Sequence, residues 1–240
     1  MKSVGMAYCR LDGSVAPLSL QVGSNWLIKS GPDGKGGVAK RTTKRTTGKR
    51  ARRKSGETPG GRPLRAIGRV ELIARLETAL AAGDGVAGAH CIHELWMRNE
   101  PSMNIETLLS RLWSVAAASV PEWLPMRYVE WLPLCFDVAA RFQPEGRGRS
   151  NIYLVLLDYS DSRPDRYGVY VGATQYSPAE RFDQHKSGIR AAGSVLKRGL
   201  EVLTGPVLHL QGIPRAQADQ IEEGLAEALR AEGLLVHGGH

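Results

Sequence analysis

Three cysteines in 240 residues, at Cys9, Cys91 and Cys135, are too few and too widely spaced for a disulfide framework or a C-x-x-C zinc site. Reduced, buried thiols are expected. The neighbours His90 and His93 beside Cys91 have no second cluster to complete a metal set, so they are read as parts of an ordinary helix. No apolar run reaches the roughly 18 residues that a bilayer span needs, and Asp12, Gly13 and Pro17 interrupt the N-terminal apolar pieces before a signal core can form. The expectation is a cytoplasmic protein with no membrane partner. Acidic residues are also scarce in one place: residues 35 to 65 hold twelve Lys or Arg and only Glu57. Their local charge of +11, within a chain of +8, leaves the remainder at −3. The basic character belongs to one segment, and the rest of the chain has no general positive field.

Residues 1 to 66 read as a disordered basic arm, because Gly, Pro, Thr, Lys and Arg dominate from Gly31 onward and little apolar surface is available to offset ordering entropy. Its run AKRTTKRTTGKRARRK has two readings, a solvated linker or an arm that binds nucleic acid through counterion release. From residue 67 to 142 the periodicity is helical. Leu72, Ile73, Leu76, Ala79 and Leu80 make one stripe ended by Gly83-Asp84-Gly85. A second helix is expected from Ala87 to Arg98, a third from Asn104 to about Ala118, and a fourth from Pro121 through Phe142 with an interruption at Pro133. Trp96, Trp113, Trp123 and Trp131 fall in this module and are read as core.

After the linker QPEGRGRS the period changes to that of strands. Ile152 to Leu157 and Tyr167 to Gly172 are apolar runs around the turn chemistry DYSDSRPDR, which predicts an antiparallel hairpin. Ser177-Pro178-Ala179-Glu180 carries an N-cap, a first-turn proline and a capping-box glutamate, so a helix is expected from there to about Lys186. Gly205 to Leu210 is expected as a third strand, and Arg215 to Glu232 as a closing helix ended by Gly233. The fold class is therefore α+β, with a small three-stranded antiparallel sheet flanked by helices, preceded by a helical module and the basic arm.

A tyrosine in the first strand (NIYLV), the triplet YVG in the second, RFDQHKSG on the next helix and a glutamate on a late helix resemble, in order and spacing, the GIY-YIG nuclease domain. The likeness covers about residues 150 to 240. The tail LLVHGGH is also similar to that of members of this group. One departure is Asn151, which stands where the family's first triplet has glycine. The resemblance implies a metal-dependent DNA endonuclease that hydrolyses phosphodiester bonds with Mg²⁺ or another divalent cation.

Hydrolysis of a phosphodiester needs a base for the attacking water, positive groups for the phosphoryl oxygens and usually a metal for the leaving oxygen. Arg181 and His185 lie four apart on one helix and so share a face; Arg181 can fork two phosphate oxygens, and His185 can donate to a phosphate or move a proton. The resemblance places Tyr153 and Tyr170 in the site, with Tyr153 first as base, Tyr170 in support, and the two interchangeable. Glu222 is the first candidate for the metal carboxylate and Glu223 the second. Gly172 leaves room for a phosphate backbone to approach the second strand, and Lys186 is a candidate substrate contact. The alternative is a catalytically inactive DNA-binding or scaffold protein. The Asn151 replacement favours it, as does the charge of residues 150 to 240, with nine basic and eleven acidic side chains.

Overall fold

The computed structural model describes residues 61–99, 103–163 and 166–239. The expected disorder of residues 1 to 60 lies outside them. Seven helices are present among the described residues, α1 (Arg69–Ala82), α2 (Gly85–Met97), α3 (Ile105–Ala116), α4 (Leu132–Ala139), α5 (Pro178–Lys186), α6 (Gly193–Arg198) and α7 (Arg215–Ala231). Five strands accompany them, β1 (Ser150–Asp158), β2 (Tyr167–Thr174), β3 (Gly199–Val202), β4 (Gln211–Ile213) and β5 (Val236–Gly238).

The helix boundaries follow local chemistry. Gly83 takes φ +65° and closes α1 in the left-handed conformation that costs glycine nothing. Asp84 and Asn104 cap α2 and α3 by accepting from the amides of Ala87 and Thr107. In α5 the Ser177–Glu180 capping box is complete in both directions, as the sequence led us to expect. The fourth helix is shorter than expected. Residues 121 to 131 are turns and irregular chain, and only Leu132–Ala139 is helical, with Pro133 in its first turn. Pro121 and Pro125 remove amide donors there, so proline ends one segment and starts another.

β1 is the centre of the sheet. It pairs antiparallel with β2 from Asn151↔Thr174 to Asp158↔Tyr167, and on its other edge with β3 and β4. The C-terminal strand β5 joins β2 in parallel. The sheet is thus mixed and five-stranded, a correction to the expected three antiparallel strands. Gly205–Leu210, expected as a strand, is a 3₁₀ turn. A short apolar run does not separate a strand from a buried helical turn, and Pro206 pre-sets a helical φ at its start. The strands on the other edge of β1, β3 and β4, are four and three residues long, too short to show a period.

Alternation along β1 sends two sets of side chains to opposite faces. Ile152, Leu154 and Leu156, with Val169 and Val171, pack against α7 and α1–α4 in one continuous core. Tyr153, Val155, Leu157 and Tyr159 pack on the other face with Tyr170, Phe182 and Val195, beneath α5 and α6. The segment 67–142 and the sheet therefore share a core across the linker.

Residues 61–66 are built into this unit and are not part of a solvated arm. Glu94, 1% exposed, receives Nε and Nη2 of Arg62 at 3.0 and 2.8 Å and Nε of Arg98 at 2.8 Å. Burial alone would raise the pKa of this carboxyl, but the two guanidinium partners outweigh it and hold it low. Arg98 also donates to the Ile67 carbonyl at 2.8 Å, which ties the entering chain to α2.

His93 is buried between Trp123 and Phe136, and its Nε2 has no partner among the described residues. Burial pushes its pKa down to about 4, against an opposing pull from Glu94. The unfolded chain therefore binds a proton that the folded chain refuses between pH 6.5 and about 4. Stability is expected to fall through this window on acidification, at up to about 1.4 kcal/mol per pH unit from this group. His93→Phe should remove that part of the slope while leaving stability at pH 7 equal or higher, measured by urea unfolding at several pH values.

Candidate functional site

Tyr153 and Gly172 are directly opposite each other in the β1–β2 register. A Cβ at Gly172 would lie 2.6 Å from Cζ and 2.7 Å from the hydroxyl of Tyr153, so the phenol rests on bare backbone. The glycine makes room for a tyrosine of its own sheet, and this replaces the expected role of admitting a phosphate backbone. Cross-strand packing of an aromatic ring on glycine also fixes the ring's direction.

That direction leads to α5. Tyr153 Oη lies 2.8 Å from His185 Nε2. The amide of Ala192 donates to His185 Nδ1 at 2.9 Å. An amide has only a proton to give, so Nδ1 carries the lone pair and the neutral ring is protonated at Nε2. His185 Nε2–H therefore donates to Tyr153 Oη. His185 is 0% exposed, and burial, helped by Arg181, pushes its pKa down to about 4. It is a fixed neutral donor behind the tyrosine, and has no exposed atom with which to meet a phosphate.

The proton of Tyr153 remains to be given. Tyr153 is 1% exposed, and burial raises its pKa strongly; Tyr170 adds to this and Arg181 opposes it. The Tyr170 ring lies 5.9 Å from that of Tyr153 and 5.8 Å from that of His185. Burial raises the pKa of Tyr170 as well; its neighbour Tyr153 lowers it, Glu222 raises it, and the charge of Arg181 lowers it. The order of donors is thus Ala192 amide, then His185 to Tyr153, with the Tyr170 ring packed beside the last of them. Hydrogen bonds in such a row polarise one another.

Glu222, on α7, is half-buried and acts on Tyr170 electrostatically, while Glu223 is exposed; the tail residue Gly239 packs against this turn of the helix. One half-buried carboxylate suits a magnesium ion, which keeps several waters of its own. Arg181 lies by the same tyrosines, but its terminal nitrogens are also used locally. Nη1 donates to Gln184 Oε1 at 3.1 Å, and Nη2 to the Arg190 carbonyl at 2.9 Å. Lys186 stands apart from the group. Its Nζ donates to the carbonyls of Gly199 at 3.1 Å and Leu196 at 3.3 Å, closing the end of α6.

Asn151 has a definite structural role. Its Nδ2 donates to the Tyr176 carbonyl at 2.7 Å, and its Oδ1 accepts from the Gly212 amide at 2.9 Å. This side chain joins the loop before α5 to β4, a link that glycine could not make. The Ala192 amide was invisible to sequence reasoning, since any residue supplies one. Tyr159 and His237, which form a second tyrosine–histidine pair at 2.6 Å, were also missed. Tyr159 continues the period of two from Tyr153, and that was the available signal.

Gly172→Ala should drive the Tyr153 ring off its seat and break its bond to His185. A loss of about 1–3 kcal/mol in stability is expected from overpacking. The His185 ring resonances should shift in the same variant, and unchanged resonances would mean that the glycine does not set the tyrosine.

Comparison with protein-family models, curated proteins and solved structures finds no match to this chain, so the functional assignment rests on its residues and their geometry.

Proposed function

We propose that the chain is a metal-dependent DNA endonuclease acting at the Tyr153–Tyr170–Arg181–His185–Glu222 cluster. The observation that carries this reading is the buried row from the Ala192 amide through His185 to Tyr153, with the Tyr170 ring packed against both aromatic groups and Glu222 of α7 acting on Tyr170 electrostatically. A half-buried phenol packed beside a buried tyrosine–histidine pair and within the field of a carboxylate has the character of a base or water-orienting group.

In this reading Tyr170 meets the attacking water, and the buried Tyr153 stands behind it, which exchanges the two roles expected from the sequence. Water attacks phosphorus, its proton passes to the Tyr170 side, and the P–O bond to the leaving oxygen breaks. Arg181, held at one end by the 189–190 carbonyls, keeps its remaining donors for charge on the phosphoryl oxygens. When bound at Glu222, a divalent cation supplies charge to stabilise the leaving oxygen and offsets the carboxylate that raises the pKa of Tyr170. The cluster lies in a chain whose described residues contain no helix long and apolar enough to cross a membrane. A cytoplasmic location goes with this reading, and the basic segment supplies nonspecific DNA attraction.

A second reading, a DNA-binding scaffold without catalysis, is favoured by the engagement of Arg181 with its own loop. The two are separated by one assay. The purified chain should nick supercoiled plasmid with Mg²⁺ and not with chelator. Glu222→Gln should abolish nicking, Glu223→Gln should retain it, and Tyr170→Phe should slow single-turnover cleavage roughly 10²–10⁴-fold with little change in DNA affinity. DNA binding without nicking under every divalent cation tried would establish the scaffold reading instead.

A further inference from the structure

The row of polar aromatic groups does not stop at Tyr170. β5 is led along β2 by two glycines with positive φ, Gly238 at +86° and Gly239 at +70°. A Cβ on Gly238 would overlap the Val171 carbonyl, and one on Gly239 would lie 2.5 Å from Cβ of Ala226. The course of the tail is therefore set by glycine, and it pairs His237 with Tyr170 on adjacent strands. Adjacent strands lie about 4.8 Å apart, so His237 extends the same sheet face directly outward from the proposed catalytic group.

His237 Nε2 meets Tyr159 Oη at 2.6 Å, with the two rings within 9° of parallel. Three guanidiniums approach this pair from three elements. Arg198, at the end of α6, lies 4.4 Å over the Tyr159 ring. Arg230 of α7 donates to the Gly238 carbonyl at 2.6 Å. Arg163, exposed in the loop between β1 and β2, is the third, and all three act on the imidazole electrostatically, after burial. Arg198 has a carboxylate partner, Asp161 at 2.6 Å; among the described residues no such partner accompanies Arg163 or Arg230. The charged and titratable groups around His237 are then these three cations, Asp161 and Asp158 behind Arg198, and the hydroxyls of Tyr159 and Tyr170. Three cations around a half-buried imidazole repel one another, and an anion would relieve that repulsion. Guanidinium forks, an imidazole and a phenol are all suited to phosphate oxygens.

We propose that His237, Tyr159, Arg163, Arg198 and Arg230 form a phosphate-binding subsite that holds a DNA backbone phosphate flanking the one cleaved at Tyr170. The ligand class is a phosphodiester, and that identity rests on the endonuclease reading; the anion site itself rests on the convergence of the side chains. The subsite positions the strand so that its neighbour lies between Tyr170 and Glu222.

The test uses the full chain at pH 7 and constant ionic strength. Inorganic phosphate and a short single-stranded oligonucleotide are titrated in turn while the ring resonances of His237 and His185 are followed by NMR. Saturable movement of His237, with His185 unmoved by inorganic phosphate, is the expected result. Arg163→Gln, whose side chain has no structural partner among the described residues, should weaken phosphate binding roughly tenfold. The same loss is expected for Arg230→Gln, and Glu223→Gln should bind phosphate as the wild type does. No saturable shift of His237, or one equally produced by chloride, overturns the subsite. Binding at His237 in a chain that never nicks plasmid would keep the anion site and remove the endonuclease; nicking with His237 unmoved would do the reverse.

Discussion

The close approach of the Tyr153 ring to the backbone of Gly172 governs the arrangement of everything around it. A ring that rests on bare backbone has one direction to point, and here it points at a buried histidine whose other nitrogen is already committed to a main-chain amide. Each of these contacts is ordinary in strength, worth on the order of 1 kcal/mol net, but each removes a choice from the next group. Gly172 sets the ring, the ring and the Ala192 amide set the tautomer of His185, and the tautomer sets which way the Tyr153 proton faces.

The sheet explains how such a row is assembled without strain. β1 is buried on both faces, so its alternation divides the sheet into an apolar side and a side that carries Tyr153, Tyr159 and Tyr170 among its apolar residues. The apolar side, shared with α1–α4 and α7, supplies most of the burial that stabilises the fold. The tyrosine side is covered only by the short helices α5 and α6, which is why polar groups there keep access to solvent near Tyr170 and His237. The same division places ion pairs at the margins. Glu94 with Arg62 and Arg98 fastens the entering chain, and Glu201 accepts from the Met126 amide at 2.8 Å to fasten the loop before α4 to β3.

Asn151 orders the chain around the start of β1. Its amide makes two bonds to backbone groups on two different elements, so the residue holds the start of β1 to both the α5 loop and β4. Whatever conformational freedom a glycine would bring to this position is replaced by cross-linking. This is a structural reason for asparagine that does not depend on the catalytic state of the cluster.

Local chemistry in the sequence determined the helices with caps, the β1–β2 hairpin and the α5 capping box, because Asp84, Asn104, Ser177 and the apolar runs act within a few residues of themselves. It also singled out Tyr153, Tyr170 and His185 together, and the three rings pack against one another in the fold. The tertiary structure alone decided the rest. Strands of three or four residues carry no period, so β3, β4 and β5 exist only because β1 and β2 offer them edges. Side-chain type could not reveal that His185 is neutral and buried, that Lys186 closes α6, or that Tyr153 stands behind Tyr170, since each depends on a partner remote in the chain or on a main-chain amide. The reason is the same in every case: residue type specifies what a group can donate or accept, and only packing specifies which partner it meets and whether water can reach it.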